Sequence, residues 1–217
     1  MIIAVDGPAA SGKGTLARRI AQHMGFAHLD TGRLYRAVGV AVIRAGRDPS
    51  DAGAAEAAAR ALAPDVLDDP ALAGDEAAQA ASKVAAIPAV RAALLDLQRE
   101  FAENPPGGKA GAVLDGRDIG TVVCPDANIK FFVTASAQTR AERRHKELLN
   151  RGETSIYARV LQDLRERDAR DSARNVAPLK PAGDAIVLDT TEMDADAAFA
   201  TAVRYIEVVA RGGVPTG

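Results

Sequence analysis

A stretch near the N-terminus has the residue types and spacing of a loop that binds phosphate groups. Its residues are Gly7, Pro8, Ala9, Ala10, Ser11, Gly12, Lys13, Gly14 and Thr15. Glycines let the backbone curl until successive N–H groups face one anion, and Lys13 adds a positive charge for the outer phosphates of a polyphosphate. The alternative is a chance glycine-rich turn. A serine or threonine usually follows the lysine and binds magnesium, but Gly14 has that position here, so the metal ligands stay unassigned.

A phosphate-binding loop needs a strand before it and a helix after it, and the sequence predicts both. Residues 2–6 form an apolar run, and Leu16, Ile20 and Met24 recur at helical spacing before Gly25. Short apolar runs then alternate with helical patterns, which predicts an α/β fold with a parallel sheet covered by helices. The predicted strands are residues 2–6, 27–30, 112–115, 129–134 and 185–189.

The second predicted strand leads into a helix with polar side chains at its start. Thr31 is a suitable N-cap, Tyr35 follows four positions later, and Arg36 is next to it. Open α/β sheets bind ligands at the carboxyl ends of their strands, so these three side chains are candidates for contacting a second substrate. The alternative is that Tyr35 lies at the edge of the core and that Arg36 is a solvated charge.

The segment from residue 50 to residue 103 is rich in alanine and predicts several helices. These cover residues 51–63 and 75–86, and Pro88 suits the first turn of a third helix. The segment is too long for a simple crossover helix. It contains Ser82 and Arg91, for which spacing alone favours a structural role.

The third predicted strand ends in two carboxylates and a guanidinium, in the segment Asp115-Gly116-Arg117-Asp118. In a parallel sheet this segment lies at the same edge as the phosphate loop. A nucleotide phosphate could pair with Arg117, and a magnesium ion or a base amino group could meet Asp115 or Asp118. The alternative is a polar turn with an internal ion pair.

Two helices are predicted after the fourth strand. Ser136 can cap the first one. The second starts near residues 154–155 and has Ile156, Val160 and Leu164 on its apolar face.

The end of that second helix is strongly charged. Arg167, Arg170, Asp171 and Arg174 stand at positions that share one helical face. Phosphoryl transfer requires several cations around the moving group, so this face predicts a lid over the phosphate site. The alternative is an ordinary solvated surface with weak ion pairs.

Composition limits the classes of protein that remain. The chain has 217 residues, 47% of them hydrophobic and 26% charged, which suits one domain. A formal net charge of -2 argues against a nucleic-acid-binding protein. The sequence has no apolar stretch of the roughly 20 residues that span a bilayer, it begins without a secretory signal, and its single cysteine, Cys124, suits a reducing compartment. We expect a cytoplasmic monomer that binds small molecules and neither nucleic acid nor membrane.

Together, the motifs resemble those of the bacterial cytidylate kinases, which are nucleoside monophosphate kinases. The resemblance runs through most of the chain. It includes Asp6-Gly7-Pro8 through Gly12-Lys13-Gly14-Thr15, Leu29-Asp30-Thr31-Gly32 with Tyr35-Arg36, Asp115-Gly116-Arg117-Asp118-Ile119-Gly120-Thr121-Val122-Val123, and Glu166-Arg167-Asp168 through Arg174 followed by Val176-Ala177-Pro178-Leu179.

The resemblance implies a P-loop nucleoside monophosphate kinase fold in one domain of residues 1–217, with a five-stranded parallel sheet flanked by helices. A mostly helical insert that binds the nucleoside monophosphate is expected at about residues 31–110, and a short helical lid at about 143–174. The segment 64–74 is shorter than the β-containing insert of longer members. The implied activity is magnesium-dependent transfer of the γ-phosphate of ATP to CMP or dCMP, in pyrimidine nucleotide metabolism.

The resemblance also implies roles for individual residues. The implied cytosine contacts are Ser82, Arg91 and Asp118. The implied sugar contacts are Arg167 and Asp171. The implied contacts of the acceptor phosphate are Arg36, Arg117 and Arg174. The implied catalytic set around the moving phosphoryl group is Lys13, Arg117, Arg167 and Arg174.

Two other functions stay open on the residues alone. A GTPase-like switch needs a guanine-binding element such as Asn-Lys-x-Asp, and the chain contains no Asn-Lys dipeptide. A kinase for another nucleotide or for a hydroxylated metabolite would share the phosphate loop and differ in its acceptor site. ADP formation from ATP with a panel of acceptors distinguishes these functions.

Overall fold

A five-stranded parallel sheet forms the centre of the computed structural model, which describes residues 1–212 except the side chains of residues 64 and 65. The strand order is β2-β3-β1-β4-β5. The strands are β1 (Ile2–Asp6), β2 (Ala27–Asp30), β3 (Ala112–Gly116), β4 (Ile129–Thr134) and β5 (Ile186–Asp189). These bounds confirm all five predicted strands to within one residue. Residues 213–217, the end of the predicted domain, lie outside the described part.

Helices connect the strands and cover the sheet. They are α1 (Lys13–Met24), α2 (Thr31–Arg44), α3 (Ala52–Arg60), α4 (Asp75–Val84), α5 (Pro88–Glu103), α6 (Ala137–Asn150), α7 (Tyr157–Ser172) and α8 (Ala195–Ala210). Between β2 and β3 the described chain is helical, with short 3₁₀ turns at Pro64–Asp68 and Pro70–Ala73 between α3 and α4. None of the helices in residues 1–212 is long and apolar enough to cross a membrane.

Helices cover both faces of the sheet at β1, β3 and β4, which explains why these strands are mostly buried and apolar. Side chains alternate along each strand, so Ile3 and Val5 pack with α1 and α8 on one face. Ala4 and Leu114 point to the opposite face and pack with α2, α3, α4 and α5. The sheet therefore holds the first turns of α1 and α2 and the end of β3 at one edge.

Two predictions about helix starts are wrong. Asp30 is the N-cap of α2, and Thr31 is the first helical residue, with its hydroxyl donating to the backbone oxygen of Asp115 across the sheet (2.8 Å). Helix α7 begins at Tyr157, and Ile156 before it has an extended backbone (φ -117°). Ile156 therefore lies outside the helical repeat and is 60% exposed instead of joining the apolar face.

Other boundaries are as the sequence indicates. The predicted cap at Ser136 is confirmed, because its hydroxyl oxygen accepts from the backbone N–H of Thr139 (3.1 Å). Pro88 stands in the first turn of α5, as predicted. Helices α3 and α4 are two or three residues shorter at their C-termini than the predicted ranges, because each ends in a turn.

Candidate active site

A cavity of about 780 Å³ lies at the carboxyl ends of the strands. Its walls come from the phosphate loop, the start of α2, α4, the end of β3, α6, α7 and the segment before α8. Every predicted site residue except Gly7 and Pro8 lines this cavity. The structure thus brings together side chains that the sequence separates by up to about 160 positions.

The phosphate loop has the shape that its glycines predict. Gly7 has φ +152°, and a Cβ there would lie 2.0 Å from the backbone oxygen of Val133, so only glycine fits. Lys13 is half-buried at the start of α1, where its Nζ donates to the Pro8 oxygen (3.3 Å). The Ser11 hydroxyl is buried and has no hydrogen-bond partner among the described residues. Burial, followed by the charge of Arg117, lowers the pKa of Lys13 to about 7. A bound polyphosphate would favour its charged form.

A buried carboxylate lies close to Gly14. A Cβ at this position would lie 3.3 Å from Oδ2 of Asp115, which is tighter than most such contacts. Asp115 is 3% exposed, and its other oxygen, Oδ1, lies 2.9 Å from Nε2 of His28. A side chain at position 14 would therefore require Asp115 to shift by a few tenths of an ångström.

Three arginines that line the cavity converge on one buried carboxylate. Asp171 is 1% exposed; its Oδ2 accepts from Nε of Arg117 (2.9 Å), and its Oδ1 accepts from Arg174. Nε of Arg167 lies 3.9 Å from Oδ2. Burial alone would raise the pKa of Asp171, but the three guanidinium groups outweigh it and hold that pKa below its ordinary value.

This arginine cluster, Arg117, Arg167 and Arg174, keeps a surplus of positive charge. Burial, and then the nearby Arg117, lowers the pKa of Arg167, which is the sign of a cation without enough compensation. The Nε atoms of Arg167 and Arg174 are buried and have no hydrogen-bond acceptor within the described part of the chain. Such a cluster suits a multiply charged anion.

A second polar group lines the same cavity. Arg91 and Asp118 form a buried ion pair, with 8% and 4% exposure, and the Arg91 guanidinium lies 5.7 Å from the centre of the Tyr35 ring. The Ser82 hydroxyl is buried, lines the cavity and has no partner in residues 1–212. This pocket therefore offers a cation, a carboxylate, an aromatic face and a free hydroxyl to a flat polar ligand.

Two predicted site residues of α2 form hydrogen bonds with other residues of the protein. Nη2 of Arg36 donates to Asp30 (2.9 Å), and its Nε donates to the backbone of Gly32 (3.1 Å). The Thr31 hydroxyl is bound to β3, as described above. Both residues line the cavity, so Arg36 would have to leave Asp30 or share it in order to bind a phosphate.

The prediction that Arg167, Arg170, Asp171 and Arg174 share one helical face is wrong in part, because α7 ends at Ser172 and Arg174 follows the helix. Arg170 is exposed, does not line the cavity, and donates to Oε1 of Gln79 on α4 (3.1 Å). It stands at the margin of the face, so its long side chain reaches across the cavity mouth. Two similar contacts, which we group with it as the rim contacts, join Arg144 to Asp75 and Nη1 of Arg151 to the Ala73 oxygen (2.8 Å).

Sequence reasoning missed the part of the site that follows β5. Arg143 of α6 donates through Nη2 to the oxygens of Thr190 (2.6 Å) and Met193 (3.1 Å). The Thr190 hydroxyl donates in turn to the backbone oxygen of Ser11 (3.1 Å). The segment after β5 is thereby fixed to the phosphate loop. The only signal in the sequence was an arginine in a predicted helix, about 50 positions from its partners.

Comparisons with known proteins bear on this site. A family model described as cytidylate kinase matches residues 3–208. The chain belongs to the cytidylate kinase family. The cytidylate kinase of Paramagnetospirillum magneticum (strain ATCC 700264 / AMB-1) is 66% identical over 205 residues, covering 94% of this chain and 97% of its own length. That of Rhodospirillum rubrum is 64% identical over 203 residues, covering 94% and 95%. Membership of the cytidylate kinase family makes the chain a kinase with ATP as phosphate donor.

Solved structures show the same fold at low sequence identity. An uncharacterized protein from Eubacterium ventriosum ATCC 27560 has a TM-score of 0.56 at 16% identity and covers 95% of this chain and 98% of its own. An unliganded sugar kinase from Janibacter sp. HTCC2649 has a TM-score of 0.50 at 15% identity, covering 99% and 98%. Assignment to the cytidylate kinase family therefore depends on the sequence comparisons, and these structures support the fold.

Proposed function

We propose that the cavity transfers the γ-phosphate of ATP to CMP or dCMP, and that it releases ADP with CDP or dCDP. The observation that carries this proposal is that Lys13 of the phosphate loop lines one cavity with Arg117, Arg167 and Arg174, which come from two other parts of the chain. Arg117 lies near enough to contribute to the lowered pKa of Lys13. Several cations around one cavity suit a phosphoryl group that moves between two phosphates.

The donor would bind at the phosphate loop. Backbone N–H groups of residues 7–15 and the N-terminus of α1 would hold the β- and γ-phosphates, with Lys13 following the transferred group. The Ser11 hydroxyl, which has no partner within residues 1–212, supports this assignment, because a buried donor without a partner is costly unless a ligand satisfies it.

The acceptor base would bind in the pocket of Ser82, Arg91 and Asp118. Cytosine presents an amino group and a ring nitrogen acceptor side by side, and the Arg91–Asp118 pair presents a donor and an acceptor side by side. Tyr35 would form one wall beside the base. The polarity of the pair supports cytosine over uracil, which reverses both groups.

The sugar and phosphate of the acceptor would lie against α7. Arg167 and Asp171 would contact the sugar, and Arg36, Arg117 and Arg174 would bind the acceptor phosphate. The support is the surplus charge of the arginine cluster around a single carboxylate.

The chemistry needs little from the protein beyond alignment and charge. The acceptor is already an anionic phosphate, so a serine nucleophile and a strong general base are unnecessary. The loop N–H groups, Lys13 and the arginine cluster would hold the two phosphates in line and stabilise the charge of the transition state. Closure of α6 and α7 over the cavity would exclude water, which would otherwise hydrolyse ATP.

Mg²⁺ would be held by Asp115 together with phosphate oxygens and water. The fit is good because Mg²⁺ prefers one or two carboxylates plus phosphates, and Oδ2 of Asp115 lies beside the start of α1. In the described residues no three His, Cys, Asp or Glu side chains are placed to bind a metal together. Most ligands would therefore come from ATP and water. The ion would neutralise charge on the β- and γ-phosphates.

A panel of acceptors tests the proposed function. ADP formation is followed with ATP and Mg²⁺ in the presence of CMP, dCMP, UMP, AMP, GMP or shikimate. We expect kcat/KM for CMP and dCMP to exceed that for AMP, GMP and shikimate by about a thousandfold, because the wrong acceptor leaves buried polar groups unpaired. Comparable activity with another acceptor would reject the assignment of substrate. A cytoplasmic location and a monomeric state remain predictions.

Replacement of Asp171 tests the acceptor side. We expect Asp171→Asn to raise KM for CMP about tenfold and to leave KM for ATP within twofold, because a charged hydrogen-bond acceptor is lost among three guanidinium groups. The effect on CMP should exceed that on dCMP, which lacks the 2′-hydroxyl. Steady-state kinetics with each substrate varied gives these constants. A higher KM for ATP with unchanged CMP kinetics would contradict the sugar assignment, and Glu166→Gln on the same helix is the control.

A further inference from the structure

Asp168 stands next to Arg167 in the charged motif of α7, yet it does not line the cavity. Its carboxylate pairs with Arg140 of α6 through two parallel contacts. Nη1 of Arg140 lies 3.2 Å from Oδ1, and Nη2 lies 2.6 Å from Oδ2. Such a two-pronged pair fixes direction as well as distance.

The same guanidinium also reaches the phosphate loop. Nη1 of Arg140 donates to the backbone oxygen of Ala9 (3.2 Å), and its Nε donates to Ala135 at the end of β4 (2.9 Å). Ala9 precedes Ala10, which has the unfavourable φ of +59° for a residue other than glycine. Arg140 is 5% exposed, so this network is buried at its centre. The network therefore holds the phosphate loop next to a residue with an unfavourable backbone conformation.

An apolar cluster joins the same three parts of the fold, which are the phosphate loop, α6 and α7. Ala9 of the loop belongs to one buried cluster with Val160 and Leu164 of α7. The cluster joins the loop to α6 and α7, and the Arg140–Asp168 pair adds a directional link between the two helices.

We propose that Asp168 is a positioning residue, which holds α7 against the phosphate loop through Arg140, so that the acceptor bound by Arg167 and Arg174 lies at the right distance from the donor phosphate. The proposal rests on the proposed function. Donor and acceptor lie on different parts of the fold, and their alignment decides whether the phosphoryl group reaches the acceptor or water. Asp168 contacts neither nucleotide and acts only through the position of α7.

The test compares phosphoryl transfer with ATP hydrolysis in the same protein. Asp168→Asn keeps the size of the side chain, but its amide nitrogen cannot accept from Arg140, so one of the two hydrogen bonds is lost. We expect kcat for CMP phosphorylation to fall about thirtyfold with KM for CMP within threefold. ATP hydrolysis without acceptor should fall far less, so that the ratio of hydrolysis to transfer rises about tenfold.

This ratio separates positioning from simple loss of folded protein. A smaller folded fraction lowers both rates equally and leaves their ratio unchanged. Glu166→Gln is the matched control, because Glu166 is exposed and its carboxylate accepts only from Gln162 on the same helix in the described structure. We expect the control to keep the ratio of the unmodified protein. A ratio in Asp168→Asn equal to that of Glu166→Gln would overturn the proposal.

A second variant keeps the proposal testable if Asp168→Asn does not fold. Arg140→Lys retains the positive charge but loses the planar guanidinium that donates two parallel hydrogen bonds. It should raise the ratio of hydrolysis to transfer by a similar factor. Where both variants fold, combining them should be no worse than Arg140→Lys alone, whereas independent roles would give additive losses. An unchanged ratio in Arg140→Lys, or additivity, rejects the coupling. Absence of CMP phosphorylation in the unmodified protein rejects the proposed function instead, so the two failures are distinct.

Discussion

Lys13→Ala should lower kcat about a thousandfold while the protein stays folded. Among the described residues its Nζ has one hydrogen bond, a 3.3 Å contact to the Pro8 oxygen, so the core loses little when the side chain is removed. A donor that follows the moving phosphoryl group contributes mainly in the transition state, and a thousandfold loss corresponds to about 4 kcal/mol. Steady-state ADP formation gives kcat, and a thermal melt reports the fold.

A lysine elsewhere on the surface provides the control for this experiment. Lys83 on α4 lies 3.8 Å from Asp48 in an exposed ion pair, and such pairs contribute little to stability. Lys83→Ala should therefore keep the kcat of the unmodified protein. Retention of most activity in Lys13→Ala would mean that the loop does not bind the transferred phosphate, and the assignment of the donor site would fail.

Asp118→Asn should reduce the preference for CMP over UMP about a hundredfold. The carboxylate would accept from the cytosine amino group, and an amide nitrogen in its place faces that group with a second donor. Uracil has a carbonyl oxygen there and would meet the amide favourably. Since the pair with Arg91 is buried, each mismatch leaves a polar group unsatisfied, which costs on the order of 1–3 kcal/mol.

The measurement is kcat/KM for CMP and for UMP in Asp118→Asn. We expect a large loss with CMP and a small loss or a gain with UMP. Asparagine is preferred to alanine because alanine would leave the Arg91 charge buried without a partner and destabilise the fold. Asp126→Asn, in an exposed turn, is the control. Equal proportional losses with both acceptors would show that Asp118 only holds Arg91.

The sheet and the phosphate loop could be predicted because their signals are local. Apolar runs mark strands that are buried on both faces, and the residues from Gly7 to Thr15 carry the geometry of the loop in their own types. The wrong cap at Thr31 shows the limit of local signals. Asp30 and Thr31 are both capping residue types, and the structure places Thr31 inside the helix, with its hydroxyl bound to Asp115, 84 positions away.

The contacts that align the cavity could not be predicted from spacing. A helical repeat indicates which side chains share a face, but not what that face meets. Arg140 and Arg143 belonged to a run of basic residues in a predicted helix, and their partners lie on the phosphate loop, on α7 and after β5. The same limit applies to Arg170, because its position on the helix did not indicate that it would donate a hydrogen bond to Gln79 of α4.

The rim contacts have a consequence for how a nucleotide leaves. Arg144, Arg151 and Arg170 meet α4 and the turn before it through hydrogen bonds and an ion pair. The buried members of the apolar cluster between α6 and α7 come from the phosphate loop and from those two helices. Water can replace each rim contact at small cost. We therefore expect the rim to open for a nucleotide without disrupting that apolar cluster.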